Sequence, residues 1–224
     1  LPQTDYVKEL KERFFKSIEL RLRSDFPIAF FLSGGIDSNA LAFIAKKYFG
    51  YNLKTYSVIS SDPRYDESKM INYAYKQLNS DHTNLTLNPR KINFINYLKE
   101  QVKYHDSPVA TINSLLSFIL YKKIKKDKFR VTINGIGSDE IFTGYYDHHL
   151  LFLNEIKKNK KFFNQSKKNW EKIVKPIVKN PYLKKSNLYI KNPSFRKHVY
   201  QYENFKKNIF NEKFRFNFTE KKYS

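Results

Sequence analysis

The stretch from residue 28 to residue 38 constrains the fold more than any other, because it joins an apolar strand to a helix through two glycines. Its first part, residues 28–32, is an uninterrupted apolar run of strand length, typical of a strand covered on both faces. After the glycines, apolar residues recur at helical spacing: Leu41, Ile44, Ala45 and Tyr48. This order of elements predicts an α/β fold with a parallel sheet.

The turn within this stretch has the composition of an anion-binding site. Backbone N–H groups and the positive end of the helix dipole converge at a helix start, and Gly34 and Gly35 have no Cβ to keep an anion away. Ser33 and Ser38 add hydroxyl donors. Asp37 would repel an anion unless a divalent cation lay between them, so it is a candidate Mg²⁺ ligand. A plain tight turn capped by Asp or Ser is the alternative interpretation.

A second glycine-bearing stretch follows the predicted strand at residues 130–133. Residues 134–146 read Asn-Gly-Ile-Gly-Ser-Asp-Glu-Ile-Phe-Thr-Gly-Tyr-Tyr, so a β-rich run again meets glycines before an acidic pair opens a helix. In an open parallel sheet the ligand crevice forms outside the carboxyl ends of the strands. The two turns are therefore expected to face each other there, with Asp37 and Asp139 around a shared cation.

The remaining apolar patterns complete the predicted architecture. Further strands are predicted at residues 55–59 and 85–87, and helices at residues 7–22, 71–78, 92–102 and 112–124. The fold class is α/β, with an open, mainly parallel sheet, helices on both faces and a helical C-terminal part. Residues 1–150 are expected to form the domain that carries both motifs. Residues 151–224 are expected to be its Lys- and aromatic-rich helical continuation, cut short at the end.

Three other groups of residues are assigned structural roles. Asp66 and Glu67 are expected in the first turn of a helix, where acids favour the dipole, rather than in catalysis. His82 is expected in a loop. Aromatic residues near the end of the chain are expected to form helix faces rather than to stack on bases: Tyr200, Tyr202, Phe205, Phe210, Phe214, Phe216 and Phe218.

Composition excludes several classes of protein. The 224 residues include no cysteine, which excludes disulfides, thiolate metal sites and a cysteine nucleophile. No apolar run has the length of a membrane span and no secretory leader is visible, so a soluble cytoplasmic protein without a membrane partner is expected. The net charge of +21 would suit nucleic acid, but the lysines are dispersed in pairs, so a solvated surface is the favoured interpretation. Because Met70 is the only methionine, the chain that begins at Leu1 is expected to be a processed product or a fragment.

Both motifs resemble those of one enzyme family. Residues 33–38 resemble the S-G-G-x-D-S pyrophosphate loop of the N-type ATP pyrophosphatases, and residues 134–146 resemble the S-G-[ED]-G-[SAG]-D-E-[LIV]-F-x-G-Y signature of the asparagine synthetase family. The resemblance covers about residues 6–146. It implies the adenine nucleotide alpha-hydrolase-like fold of PP-loop ATPases, an ATP pyrophosphatase domain at residues 1–150, and ATP and Mg²⁺ as cofactors.

The resemblance also implies site residues and a reaction. Pyrophosphate would be held by Ser33, Gly34, Gly35, Asp37 and Ser38. Adenosine would be framed by Leu32, Val58, Asn134 and Gly135. Catalysis would use Asp37, Ser38 and Asp139, of which Asp37 and Asp139 would be the metal ligands. The implied activity is that of an ATP-dependent amide ligase, which adenylates a carboxylate such as aspartate and transfers ammonia or an amine to it. The ammonia would come from a glutaminase domain or subunit outside this chain.

Departures from the family pattern keep two alternatives open. Ile136 stands where asparagine synthetases carry an acid, and Asn134 replaces the usual serine. The family's later Arg-x-Pro-Phe-Leu-Asp segment, with its catalytic lysine, is not found. Nucleotide binding is therefore better supported than asparagine formation. A tRNA-modifying PP-loop enzyme similar to lysidine synthetases, or a catalytically degenerate nucleotide-binding module, remains as an alternative, although the Gly-Ser-Asp-Glu run argues against the first.

Overall fold

The apolar run before the first glycine turn forms an interior strand of a four-stranded sheet. The computed structural model describes residues 3–63, 66–88, 92–109, 111–192 and 195. Strand β1 (Ile28–Phe31) pairs with β2 (Lys54–Ser60) on one side and β4 (Val131–Ile133) on the other. Strand β3 (Asp81–Leu87) pairs with β2, so the order is β3-β2-β1-β4, with every pair parallel. Parallel neighbours need crossover connections, and helices supply them here.

The chain divides into two compact units, Leu1–Ile136 and Gly137–Ser224. In the first unit the helices are α1 (Gln3–Arg21), α2 (Ile36–Lys47), α3 (Ser68–Leu78), α4 (Phe94–His105) and α5 (Ile112–Lys126). The sequence predicts a nucleotide-binding domain that ends at residue 150. That boundary concerns the binding function and not the compactness of the chain, and it stays a prediction.

Helices cover both faces of the sheet, which is why β1 is apolar throughout. Successive strand residues point to opposite faces. One buried cluster joins β1 to helices α2 and α3: Ile28, Phe30, Leu32, Ala42, Ala45 and Leu78. The other joins the sheet to helix α5: Ala29, Tyr56, Leu120 and Ile124. These two layers confirm the predicted α/β class with an open parallel sheet and helices on both faces.

Strand β3 begins earlier than the sequence predicts, at Asp81 rather than Leu85. It pairs with β2 along its full length, from Lys54 opposite Asp81 to Ser60 opposite Leu87. The first half of β3 is polar, so it has no apolar pattern from which the strand could be predicted. An edge strand with one solvated side tolerates such residues. His82 is therefore a strand residue, and its expected place in a loop is wrong.

The described part of the second unit is helical, as predicted for the C-terminal part. Its helices are α6 (Ser138–Phe142), α7 (Tyr146–Glu155), α8 (Lys160–Asn169) and α9 (Ser186–Lys191). A 3₁₀ turn (Ile156–Lys158) and a π-helical turn (Trp170–Val174) precede and follow α8. The buried core consists of Leu150, Leu153, Trp170 and Tyr189.

The aromatic residues between Tyr200 and Phe218, predicted to form helix faces, lie outside the described residues. Within the described ranges, no helix combines the length and the apolar character that a bilayer crossing demands.

Candidate functional site

The first glycine turn is held by its own serines. The Ser33 N–H donates to Ser38 Oγ at 3.0 Å, and the Gly35 N–H donates to Ser33 Oγ at 3.1 Å. The two hydroxyl oxygens lie 2.8 Å apart. The Asn39 amide, one helical turn into α2, donates to the carbonyls of Ser33 (2.9 Å) and Gly35 (2.7 Å). The turn is therefore tied to the start of α2 before any ligand arrives, and both serines of the predicted loop contribute to its shape.

Strand β2 supports the entry to this turn. The Leu32 N–H donates to the Tyr56 carbonyl at 2.8 Å, and the buried hydroxyl of Ser57 donates to the Leu32 carbonyl. Because Phe31, the last residue of β1, pairs with Tyr56, Val58 lies beyond the end of β1 at the carboxyl edge of the sheet. Leu32 is buried and Val58 is half-buried, so the two predicted neighbours of adenosine lie at the same edge.

The second glycine turn meets the first at Gly135. A Cβ at Gly135 would lie 3.0 Å from Asp37 Cβ and 3.0 Å from the backbone nitrogen of Ser38. An added Cβ would force Asp37 and the start of α2 to give way by a few tenths of an ångström, so glycine permits the closest approach here. Gly135 and its neighbour Asn134 follow β4 directly and lie beside the start of α2. The fold therefore brings together four predicted site residues of the first unit: Asp37, Ser38, Asn134 and Gly135.

Asn134 shapes the second turn through both ends of its amide. Its Oδ1 accepts the Ile136 N–H at 3.1 Å, which forms an Asx turn, and its Nδ2 donates to the Tyr121 hydroxyl at 3.4 Å. Serine in this position has no second group to reach Tyr121. Ile136 itself is 81% exposed, so its aliphatic side chain is presented to solvent immediately after Gly135.

The carboxylate of Asp37 is available to a cation. It lies in the first turn of α2, and no described residue forms a hydrogen bond or an ion pair with it. Carboxylate oxygens are the ligands that Mg²⁺ prefers, so this donor fits the implied metal. Among the described residues, no group of three or more His, Asp or Glu side chains has the arrangement of a metal site. Mg²⁺ held through one or two carboxylates and substrate phosphates does not need such a group.

The rest of the second motif belongs to the second unit and forms a single helical turn, α6. Gly137 precedes it with φ +97°, and Thr143 ends it in the left-handed region at φ 59°. The Gly144 N–H then donates to the Asp139 carbonyl at 2.9 Å. A Cβ at Gly144 would collide with Asp139 Oδ1 and lie 2.7 Å from its Cγ. A side chain at position 144 would therefore displace the Asp139 carboxylate from this position.

The acid next to Asp139 is bound to the aromatic residue that ends the motif. The Tyr145 hydroxyl donates to Glu140 Oε1 at 2.6 Å. This hydrogen bond lowers the pKa of Glu140 and raises the pKa of Tyr145 to about 12. The Glu-x-x-x-x-Tyr part of the motif is therefore a local brace of α6, and Glu140 stays ionised at neutral pH.

The sequence did not predict that Glu67 contacts the first glycine turn. Its Oε2 accepts the Gly34 N–H at 2.9 Å, across 33 positions of sequence. The expectation that Asp66 and Glu67 lie in the first turn of a helix is wrong for both residues, because α3 begins at Ser68. Glu67 is the N-cap residue and makes no side-chain cap. Asp66 does stabilise this helix start, because its Oδ1 accepts the Ser68 N–H at 2.9 Å. No pattern in the sequence distinguishes the two acids.

Comparison with known proteins confirms the resemblance. The family model described as asparagine synthase matches residues 9–212. Asparagine synthetase [glutamine-hydrolyzing] 1 of Bacillus subtilis is 32% identical over 139 residues, which are 62% of this chain and 21% of that protein. The asparagine synthetase [glutamine-hydrolyzing] of Zea mays is 31% identical over 163 residues, 66% of this chain and 27% of that protein. The chain thus spans about a fifth to a quarter of the length of these relatives.

A solved structure, the NH3-dependent NAD synthetase of Campylobacter jejuni, is 18% identical with a TM-score of 0.40, covering 82% of this chain and 93% of that chain. Because the family model extends over residues 9–212, including both glycine motifs, the chain belongs to the asparagine synthase family.

Proposed function

We propose that this chain is the ATP-binding part of an asparagine-synthetase-like amide ligase. ATP would be cleaved between its α and β phosphates while a carboxylate such as aspartate is adenylated. Ammonia or an amine would then displace AMP to give an amide. Family membership supports the general reaction, and the meeting of the two glycine turns at Gly135 is the structural observation that carries the proposal.

The first turn would hold the departing pyrophosphate. Backbone N–H groups at a helix start stabilise phosphate charge, and the serine network keeps them in place without ligand. Adenosine would lie along the carboxyl edge, framed by Leu32 and Val58 from one side and by Asn134 and Gly135 from the other. Gly135 lets the second glycine turn lie close to the start of α2.

In the first step, a carboxylate oxygen of the substrate attacks the α-phosphorus, and the bond to the bridging oxygen breaks as pyrophosphate leaves. The chain mainly supplies position and charge stabilisation for this transfer. When bound, Mg²⁺ would neutralise the charge of the phosphates. We propose Asp37 as one of its ligands. Asp139 is proposed as a second ligand only because residues 134–146 resemble the family signature.

In the second step, the nitrogen lone pair attacks the acyl carbon, AMP leaves with the electrons of the C–O bond, and the nitrogen loses a proton. Ile136 cannot accept that proton, because its exposed side chain is aliphatic. The proton acceptor must therefore be another group or the solvent. Ammonia would come from a glutaminase domain or subunit outside this chain.

The Asp37→Asn substitution tests the proposal. We expect Mg²⁺-dependent pyrophosphate release from ATP, measured with a panel of carboxylates, to fall by about a hundredfold because a charged oxygen ligand is lost. The melting temperature should stay close to that of the wild type, since no described side chain depends on Asp37. Asp25→Asn, an exposed acid in the turn before β1, is the matched control and should retain full activity.

Other outcomes would point to the alternatives. ATP binding without turnover of any carboxylate would favour a degenerate nucleotide-binding module. Tight binding of total tRNA that survives moderate salt would favour a tRNA-modifying enzyme. Equal activity of Asp37→Asn and the wild type would contradict the proposed site.

A further inference from the structure

We propose that Glu67 is an internal competitor for the pyrophosphate loop. Its carboxylate accepts the hydrogen bond of the Gly34 N–H and must leave when a polyphosphate binds there. The inference rests on the proposed function, because it assigns a regulator to the same loop.

The hydrogen bonds of the loop single out the Gly34 amide. The amides on either side of it, those of Ser33 and Gly35, donate to serine hydroxyls of the loop itself. The Gly34 N–H instead donates to Glu67 Oε2 at 2.9 Å. The acceptor of the Gly34 N–H is therefore the carboxylate of Glu67, and a carboxylate oxygen accepts such a hydrogen bond as a phosphate oxygen would.

The contact also fills the space above Gly34. A Cβ at Gly34 would lie 3.2 Å from both Glu67 Cβ and Glu67 Oε2, and 3.3 Å from its Cδ. The side chain thus lies directly against the glycine backbone that a phosphate would approach. Two anions cannot share one amide at such distances without strong repulsion, so occupancy by Glu67 and by phosphate is exclusive.

Glu67 can leave without disturbing the fold. It is an exposed residue, and its side chain makes no cap for α3. Its backbone carbonyl accepts the Ile71 N–H at 3.0 Å, and Asp66 stabilises the Ser68 N–H. These backbone contacts remain when the Glu67 side chain rotates, so the carboxylate can leave the Gly34 N–H without unfolding the start of α3.

Isothermal titration calorimetry of the full chain with inorganic pyrophosphate in the presence of Mg²⁺ tests the inference. Removing the competing carboxylate in Glu67→Ala should lower the Kd for pyrophosphate roughly threefold to tenfold, the range expected for one ordinary hydrogen bond. Glu67→Gln should fall between the wild type and Glu67→Ala, because the amide oxygen can still accept the Gly34 N–H but carries no charge.

Asp66→Ala is the matched control. It removes the same charge from the same helix start but not from Gly34, so its Kd for pyrophosphate should stay within about twofold of the wild type. Adenosine, which has no phosphate, should bind wild type and Glu67→Ala equally.

The outcomes separate the inference from the proposed function. If the wild type binds pyrophosphate and Glu67→Ala binds it equally or more weakly, Glu67 does not compete and the inference is overturned while the proposed function stands. An equal gain in Asp66→Ala would also overturn it, because only the general charge would matter. If neither the wild type nor Glu67→Ala binds pyrophosphate or ATP, both fail.

Discussion

At the scale of single residues, the glycines of the chain differ in what they do. At Gly135, an added Cβ would press against Asp37 and the Ser38 backbone at 3.0 Å, so any other residue forces these neighbours to shift. At Gly144, an added Cβ would displace the Asp139 carboxylate, which lies in that space. Gly50 has open space around it and is favoured only by its positive φ of 63°. Two glycines of the family motifs thus serve close contacts beside acids, whereas a third glycine of the chain serves backbone conformation alone.

The contrast predicts the effect of Gly135→Ala. The added methyl group must push the second turn away from α2, which should cost about 1–3 kcal/mol of stability and raise the Kd for ATP roughly tenfold. Isothermal titration with ATP and chemical denaturation measure the two effects. Gly50→Ala, strained only by its positive φ, should lose about 1 kcal/mol of stability yet keep the wild-type Kd. Equal ATP affinity in Gly135→Ala would argue against a nucleotide at this contact.

At the scale of elements, β2 and β3 are joined by a polar cluster at the end of the sheet opposite the site. His82 Nδ1 lies 2.8 Å from Thr55 Oγ1, and its Nε2 lies 2.7 Å from Asn84 Oδ1. The Thr55 hydroxyl also lies 3.0 Å from Ser80 Oγ. The ring stacks on Tyr75 of α3, with centroids 4.5 Å apart. Because a carbonyl oxygen of Asn84 can only accept, Nε2 carries the proton in this arrangement.

This cluster makes stability depend on pH. Burial lowers the pKa of His82 below its usual 6.5, with nearby Lys54 adding to the effect. The folded state therefore binds the proton less readily than the unfolded state, so the stabilisation is complete above pH 6.5 and is lost as pH falls through the lower folded pKa.

The expected measurement is a series of melting temperatures between pH 7.5 and pH 5. The wild type should lose stability over this range faster than His82→Gln, which has no ring to protonate. Parallel curves for the two proteins would show that His82 does not titrate differently on folding.

At the scale of the whole molecule, each unit has its own buried core. The sheet unit is held by the two layers on either side of β1, and the helical unit by one cluster around Leu150 and Trp170. In the helical unit the Asn154 amide donates to the carbonyls of Tyr189 (3.2 Å) and Ile190 (2.8 Å), which joins α7 to α9. The net charge of +21 favours encounters with polyanions such as ATP at low salt.

The core of the helical unit predicts a large effect of Leu150→Ala. This side chain is fully buried, and its truncation should cost about 2–5 kcal/mol. Trp170 is the only tryptophan of the chain and lies in the same cluster, so its fluorescence follows the unfolding. Phe152→Ala, on the same helix but 47% exposed, should cost much less. A similar loss in both variants would contradict this account of the core.

Local patterns in the sequence determined the elements that have strong periodicity or glycine punctuation. The run at residues 28–32 is apolar on every residue and of strand length, which is typical of a strand covered on both faces, and the strand-to-helix order after it predicts a parallel sheet. The motifs determined the family because their residues match the family pattern in order and spacing along the chain.

Tertiary structure alone decided the contacts between distant segments. That Gly135 lies against Asp37, that Glu67 rather than Asp66 reaches Gly34, and that β3 begins at Asp81 all depend on how separate elements pack. Neighbouring acids have the same chemistry, and polar edge-strand residues have no apolar period, so only their positions in space distinguish them.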